Sequence, residues 1–295
     1  MDDARAGVRT LTGAGACIDL HLHTTASDGV LPPETVVQRA AALGLRAIAV
    51  TDHDTLEGVP GAIAEGARTG VRVVSGCEFS TAAPWGGEMH VLGYFLPPED
   101  DALQGFIRRC RDDRARRGRE MVRHLRAWGM DISYEDLERE AAGAAIGRPH
   151  LARLLARRGT VGSVEEAFQV WLGRGRPAYA DKRLPTFAEV ASVVHAAGGL
   201  VSAAHVKDRG TRGTLRLLKD QGLDAIETRH PGHSPDMRAR LTILATTLGL
   251  MQTGGSDWHG EAEREGGHST LGSEEVPAAW LEELERGRPA ANGRQ

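Results

Sequence analysis

The chain has 295 residues, 41% of them hydrophobic and 26% charged, with a formal net charge of −4 when histidine is neutral. That is the make-up of a soluble globular protein with room for one large α/β barrel or two modest domains. It argues against a molecule built as a whole to grip duplex DNA or an anionic membrane, and no apolar run approaches the ~20 residues that span a bilayer.

Residues 1–16 read as a polar tail, without the basic start and apolar stretch of a secretion signal. Cys17, Cys77 and Cys110 are too widely spaced for a disulfide framework or a thiolate metal motif, which fits a reducing cytoplasm. The first predicted strand is 17–22. A helix follows over 32–43, with proline near its start and Gly44 as its stop. Residues 46–50 form a second β-like run and 56–69 a second helix, and further β-like runs lie at 71–74 and 89–92. Strand alternating with helix predicts a parallel α/β sheet or barrel. From Leu103 to about Arg183 the apolar residues fall at helical spacing, with helix starts marked by Ser133, Pro149 and the Ser163/Glu166 pair. A capping box at Thr186 and Glu189 opens a helix that stops at Gly198 and Gly199, and strands are expected at 200–204, 225–228 and 250–253. The expected organisation is an N-terminal tail (1–16), a barrel (17–100 and 184–286), a helical insertion (101–183) and a C-terminal tail (287–295).

The chemistry gathers at the strand ends. His21 and His23 alternate along the first strand and so share a face. His53 stands at the end of the second strand, Glu78 after the third, His90 on the fourth and His205 after 200–204, while Asp257 and His259 follow the last. Asp28 lies just beyond the first. In a parallel barrel such ends form a single mouth, where active sites assemble. These nine residues exceed what one ion needs and could hold two or three divalent cations. Imidazole and carboxylate without thiolate suit Mn, Zn or Fe better than Ca or Mg. Close-set ions can activate a water and clamp the oxygens of a phosphoryl centre.

Basic residues supply candidate substrate contacts. Arg114 and Arg117 share a helix face and could grip a phosphate, or could belong to a solvated face salted by Asp112, Asp113 and Glu120. Arg148 precedes a helix opened by Pro149, where an anion would bind or a surface salt bridge would form. His233 could donate to a phosphate, act as a leaving-group acid, or only cap a turn beside Pro235. Lys207 and Arg209 follow a ligand-bearing strand and could line the mouth. His124 and His195 read as structural or exposed. Trp85 and Trp258 could stack on a base, although packing is the preferred reading of each.

The run Asp-Leu-His-Leu-His at 19–23 with Ser-Asp-Gly at 27–29, Thr-Asp-His-Asp at 51–54, Gly-Cys-Glu at 76–78 and Gly-Ser-Asp-Trp-His at 255–259 resemble the polymerase-and-histidinol-phosphatase (PHP) family. The resemblance runs from Ile18 to about Gly272. It implies a distorted (β/α)7 barrel carrying a small helical insertion and a trinuclear site, with Mn expected first and Zn or Fe as alternatives. Carried over residue by residue, one ion would take His21, His23, Glu78 and Asp257. A second would share Glu78 and add His90 and His205, and a third would take Asp28, His53 and His259. The arginines at 114–117, Gly-Arg-Pro-His at 147–150 and the stretch 224–235 look like the nucleotidase subgroup, which comprises 3′,5′-nucleoside bisphosphate phosphatases and 5′→3′ exoribonucleases. That similarity implies catalytic roles for Asp28, Glu78, His205, Asp257 and His233. Together with the positions read above, it gives expected substrate contacts at Arg114, Arg117, Arg148, His150, Arg209 and His233. The expected reaction removes a phosphate from a nucleoside bisphosphate or trims a short 5′-phosphorylated RNA. Rival readings are histidinol phosphate or another small phosphomonoester as substrate, an amidohydrolase, or a non-catalytic metal-bound module. Several arginines near the mouth argue against a carbonyl substrate, and the complete ligand set argues against the non-catalytic module. Where the family usually has proline after the histidine matching His205, this chain has Val206, which puts the shape of that loop in question.

Overall fold

A computed structural model describes residues 17–260 and 270–288. The predicted tails at 1–16 and 289–295, and His268, lie outside the described residues. The chain opens with β1 (Cys17–Leu22), α1 (Pro33–Ala42), β2 (Ala47–Val50), α2 (Val59–Thr69), β3 (Arg72–Ala82) and β4 (Glu88–Tyr94). Four α-helices follow: α3 (Asp101–Ala127), α4 (Tyr134–Ala141), α5 (Arg148–Arg157) and α6 (Val164–Ala167), the last running into a π-helical turn at Phe168–Leu172. The strand–helix rhythm then returns with α7 (Phe187–Ala196), β5 (Leu200–Ala203), α8 (Arg212–Asp220), β6 (Ala225–Arg229), α9 (Pro235–Leu248), β7 (Met251–Gly254), the two-residue β8 (Val276–Pro277) and α10 (Ala278–Gly287). Gly287, expected to begin a tail, is instead the last residue of α10.

The strands form one sheet in the order β7-β6-β5-β4-β3-β2-β1-β8. It curls into a nearly closed barrel, because the chain beyond β7 returns to β1. Leu22 bridges Trp258 in parallel, the His23 amide donates to the Trp258 carbonyl at 2.8 Å, and the Asp257 amide donates to the His21 carbonyl at 2.8 Å. Most neighbours are parallel, as the alternation of strand and helix demands. The parallel expectation fails at the short β8, antiparallel to β1, and at β4, which runs antiparallel to both β3 and β5. At β4 the physical reason is the connection. Only five residues separate β3 from β4, and Gly86 and Gly87 both take left-handed φ (88° and 82°), so the chain closes a tight hairpin with no room for a crossover. The same pairing extends β3 well past 74, with Gly76–Ala82 in register against β4. The reversal puts the start of β4, where His90 lies, at the mouth formed by the ends of the other strands.

Alternate strand residues divide between two apolar clusters. Ile48 and Val50 of β2 join Val36, Val59, Val190 and Leu241 from the surrounding helices. Ala47 and Ala49 join Ile18, Leu20, Leu92 and Tyr94 with Leu281 and Leu284 of α10. The second set fills the barrel, with α10 packed against it. A third cluster, including Met121, Leu125, Leu137, Leu151 and Leu155, belongs to the helices between β4 and β5. Helix α3, 27 residues and roughly 40 Å long, links the two regions, since Phe106 and Ile107 pack with the barrel's outer core and Met121 to Leu125 with the helical one. The expected caps form: Ser133 and Thr186 each make a reciprocal capping box, with Asp136 and Glu189. Among the described residues no helix is long and apolar enough to cross a membrane.

Candidate metal centre and active site

Three carboxylates organise the mouth. Glu78 is buried and its oxygens face five imidazoles: Oε1 lies 2.9 Å from His90 Nδ1 and 3.1 Å from His205 Nε2, and Oε2 lies 3.1 Å from His53 Nδ1, 3.2 Å from His23 Nε2 and 3.4 Å from His21 Nε2. Asp257 Oδ1 sits 3.1 Å from His23 Nε2 and 3.4 Å from His21 Nε2. Asp28 faces His259 Nε2 at 3.4 Å and His53 Nε2 at 3.9 Å. Ligand atoms fall within 4.8 Å of one another in the sets His21/His23/Glu78/Asp257, His23/Asp28/His53/His259 and His53/Glu78/His90, with His205 joined through Glu78. All nine residues singled out from the strand ends are thus brought together.

The arrangement suits divalent cations. His21 Nε2, His23 Nε2 and His53 Nδ1 are buried without a hydrogen-bond partner, although each lies within 3.4 Å of a carboxylate oxygen. A buried polar atom left unpaired costs about 1–3 kcal/mol, and three aimed at shared carboxylates are what a cation would satisfy. Burial alone would raise the Glu78 carboxyl, but His90, His53 and His21 around it hold it well below the usual carboxylate range. Burial likewise opposes ionisation of Asp28, and His53 and His259 reverse the balance.

The surrounding chain fixes these side chains. Asp19 accepts from the amides of His21 (3.2 Å), Ser256 (3.0 Å) and Gly272 (2.9 Å), tying β1 to the loop that carries Asp257. A Cβ at Gly255 would lie 2.3 Å from the His21 nitrogen, so only glycine lets that loop approach. Asp52 accepts from the Thr24 amide and hydroxyl and from the Ser27 hydroxyl (2.8, 2.7 and 2.6 Å), which anchors the turn bearing Asp28. Asp54, His205, Lys207 and Asp257 all have positive φ, the strained backbone that functional sites commonly hold. Val206 has φ −62°, the value a proline would impose, so the loop after His205 keeps that geometry without one.

The basic residues part company. Arg148, Lys207 and Arg209 line a cavity of about 520 Å³ together with Trp85, and it shares His90, His205 and Lys207 with a cavity of about 440 Å³ over the ligand cluster. Arg114 and Arg117 do not form a solvated face. Both are buried: Arg114 Nε donates to Asp54 while its Nη2 is buried without a partner, and Arg117 Nε donates to the Ala180 carbonyl at 2.7 Å. Burial, and then the neighbouring Arg148, lower the Arg117 guanidinium to about 10. His150 is buried, with Nδ1 accepting from the Gly147 amide at 3.0 Å. His233 is also buried, and backbone groups engage both its ring nitrogens: Nε2 accepts from the Lys207 amide at 3.3 Å and Nδ1 faces the Thr228 carbonyl at 3.2 Å. Trp258 is buried against Arg39, as the packing reading expected.

Three features escaped the sequence. Glu227 accepts from His21 Nδ1 (3.0 Å) and from the His205 amide (2.6 Å). Lys182 donates to Ser80 (2.7 Å) and pairs with Glu88, which in turn faces His90 Nε2 at 3.3 Å. His230 lines the smaller cavity. It follows directly on β6, the same strand-end signal that picked out the other histidines, whereas Lys182 and Glu88 meet only through folding.

The PHP domain family model matches residues 19–131. A 5′-3′ exoribonuclease Rnm from Salmonella typhimurium is 33% identical over 84% of this chain and 87% of its own length. A 3′,5′-nucleoside bisphosphate phosphatase from Chromobacterium violaceum is 33% identical over 86% of this chain and 92% of its own. A solved structure from Bifidobacterium adolescentis, described as a metal-dependent phosphoesterase, superposes with a TM-score of 0.85 at 30% identity, covering 96% of this chain and 99% of that one.

Proposed function

This chain belongs to the PHP domain family and is a metal-dependent phosphoesterase; from that premise we propose that its substrate is a nucleotide carrying a phosphate monoester, with a 3′,5′-nucleoside bisphosphate yielding the 5′-monophosphate. Short 5′-phosphorylated RNA, trimmed 5′→3′, is the extension of the same reading. The observation that carries it is the cavity beside the ligand cluster, where three cations gather beside Glu88, already paired with Lys182, and the exposed Asp208. Arg148, Lys207 and Arg209 there suit a second anionic group, and the half-buried Trp85 offers a ring for a base. A simple phosphomonoester or a carbonyl substrate needs neither. The activities of the Salmonella and Chromobacterium relatives support the assignment.

His21, His23, Glu78 and Asp257 would hold one ion, Glu78, His90 and His205 a second, and Asp28, His53 and His259 a third, with Mn first among the candidates. Bound there, divalent ions supply an activated water and neutralise phosphoryl charge. The remaining work falls to the chain. Arg148, Lys207 and Arg209 orient the substrate by its second phosphate, which places the scissile phosphorus over the cluster. Arg114 acts through Asp54, next to the ligand His53, and Arg117 through the backbone at Ala180. His233 keeps the Lys207 amide in place, so its part is positional.

The test is phosphate release from Mn-loaded protein with adenosine 3′,5′-bisphosphate, AMP, a short 5′-phosphorylated RNA and histidinol phosphate, against an Asp257→Ala control. The expected result is preference for the bisphosphate or RNA, abolished in the control. Activity confined to histidinol phosphate would keep the chemistry and refute the nucleotide substrate.

A further inference from the structure

Each ring nitrogen of a histidine that the protein claims decides what the other nitrogen can do. Glu227 spends its two oxygens as acceptors, Oε1 toward His21 Nδ1 at 3.0 Å and Oε2 from the His205 amide at 2.6 Å. A carboxylate only accepts, so His21 must donate from Nδ1 and is left with a bare Nε2. His259 donates from Nδ1 to the Asp257 carbonyl at 2.8 Å and likewise presents a bare Nε2. Both are wired as ligands.

His230 is wired in the opposite sense. The Gly232 amide donates to its Nδ1 at 2.9 Å, so the neutral ring carries its proton on Nε2. The turn that imposes this is tightly held. The His230 carbonyl accepts from the His233 amide at 2.9 Å and from Arg238 Nη2 at 3.1 Å. A Cβ at Gly232 would lie 3.0 Å from Lys207 Cε and 3.1 Å from His230 Nδ1, so the turn is closely packed there. The ring is 7% exposed and lines the cavity over the ligand cluster. Its Nε2 faces Asp257 Oδ2 at 3.4 Å, a contact long enough to yield to a better acceptor.

We infer that His230 is not a metal ligand but a fixed neutral donor, whose Nε2–H binds a phosphoryl oxygen of the substrate. The inference rests on the phosphoesterase reading above. His21, Glu227 and His230 do lie close enough to hold an ion. A cation on His230 Nε2 would however displace that proton while Nδ1 is still accepting from Gly232, leaving an anionic ring. As a donor, by contrast, His230 adds a directed hydrogen bond to phosphate over the ligand cluster, with no change in its own protonation.

The experiment compares wild type, His230→Ala and His230→Gln as full-length, metal-loaded protein. Metal content per chain, affinity for inorganic phosphate by calorimetry, melting temperature and kcat/KM are read on each. The expected result is unchanged metal content in both variants. Phosphate affinity and kcat/KM should fall roughly 10- to 100-fold in His230→Ala, and the amide N–H of His230→Gln should recover part of the loss. Loss of a metal equivalent in either variant would overturn the inference, as would full metal content with unchanged phosphate affinity. If His230→Ala melts below the assay temperature, His230→Gln decides alone: full metal with phosphate affinity between wild type and none supports the donor role. Phosphate affinity is read without turnover, so a wild-type protein that hydrolyses no phosphoester would refute the function proposed above while His230 is still judged on binding.

Discussion

Glu227 touches no cavity over the metal cluster, yet one of its oxygens holds His21 Nδ1 and the other holds the His205 amide, so it sets the orientation of two ligands at once. Replacing it with glutamine keeps the shape but turns one of its two acceptors into a donor, so either His21 Nδ1–H or the His205 N–H must lose its partner. Glu227→Gln should therefore bind metal about 10- to 100-fold more weakly, while its circular dichroism stays that of wild type. A metal titration checks this, and an unchanged affinity would contradict the positioning role. Such residues are where sequence reading stops. His21, His23, His53 and Asp257 are legible because they stand at strand ends in a repeated pattern. Glu227 and His230 acquire their roles from which atom of a partner they meet, and that depends on a turn and a distant strand, not on residue type. Arg114 shows the opposite hazard. Its spacing from Arg117 left a phosphate grip and a solvated face both open, and the second fails because a counter-charge at Asp54, 60 positions away, takes the guanidinium inside.

That same pair joins elements. Helix α3 begins on the barrel and ends in the helical cluster, and the buried Arg114–Asp54 contact pins it beside the end of β2. We propose that residues 101–183 form an inserted unit whose placement over the mouth depends on this contact. Removing the cation alone strands a buried carboxylate, which typically costs about 3–5 kcal/mol. Arg114→Met should lower the urea midpoint accordingly, and adding Asp54→Asn should restore a large part of the loss. Equal destabilisation in the single and double variants would show that the charge pair is not what α3 loses. Among the elements, the helices with capping boxes at Ser133 and Thr186 were plain in the sequence, because a cap is a local device. The direction of β4 was not read, although Gly86 and Gly87 mark the hairpin; alternation with helices suggested parallel strands throughout, and the short loop overrides it.

On the scale of the whole molecule, a net charge of −4 coexists with a cavity lined by Arg148, Lys207 and Arg209. Overall charge therefore says nothing against an anionic ligand here; what matters is where the barrel gathers its cations. The barrel brings one acid or imidazole from almost every strand to one end, and the reversed β4 contributes His90 from its beginning rather than its end. Closure of the sheet through Trp258 sets Asp257 against His21 and His23, which completes the cluster. The central claim is that this mouth is a multi-ion centre. Anomalous X-ray scattering at the Mn edge, from crystals of Mn-loaded protein, tests it most directly. The account predicts two or three peaks enclosed by the His21/His23/Glu78/Asp257, Glu78/His90/His205 and Asp28/His53/His259 sets. No peak among these residues, in protein that still releases phosphate after metal is stripped, would contradict it.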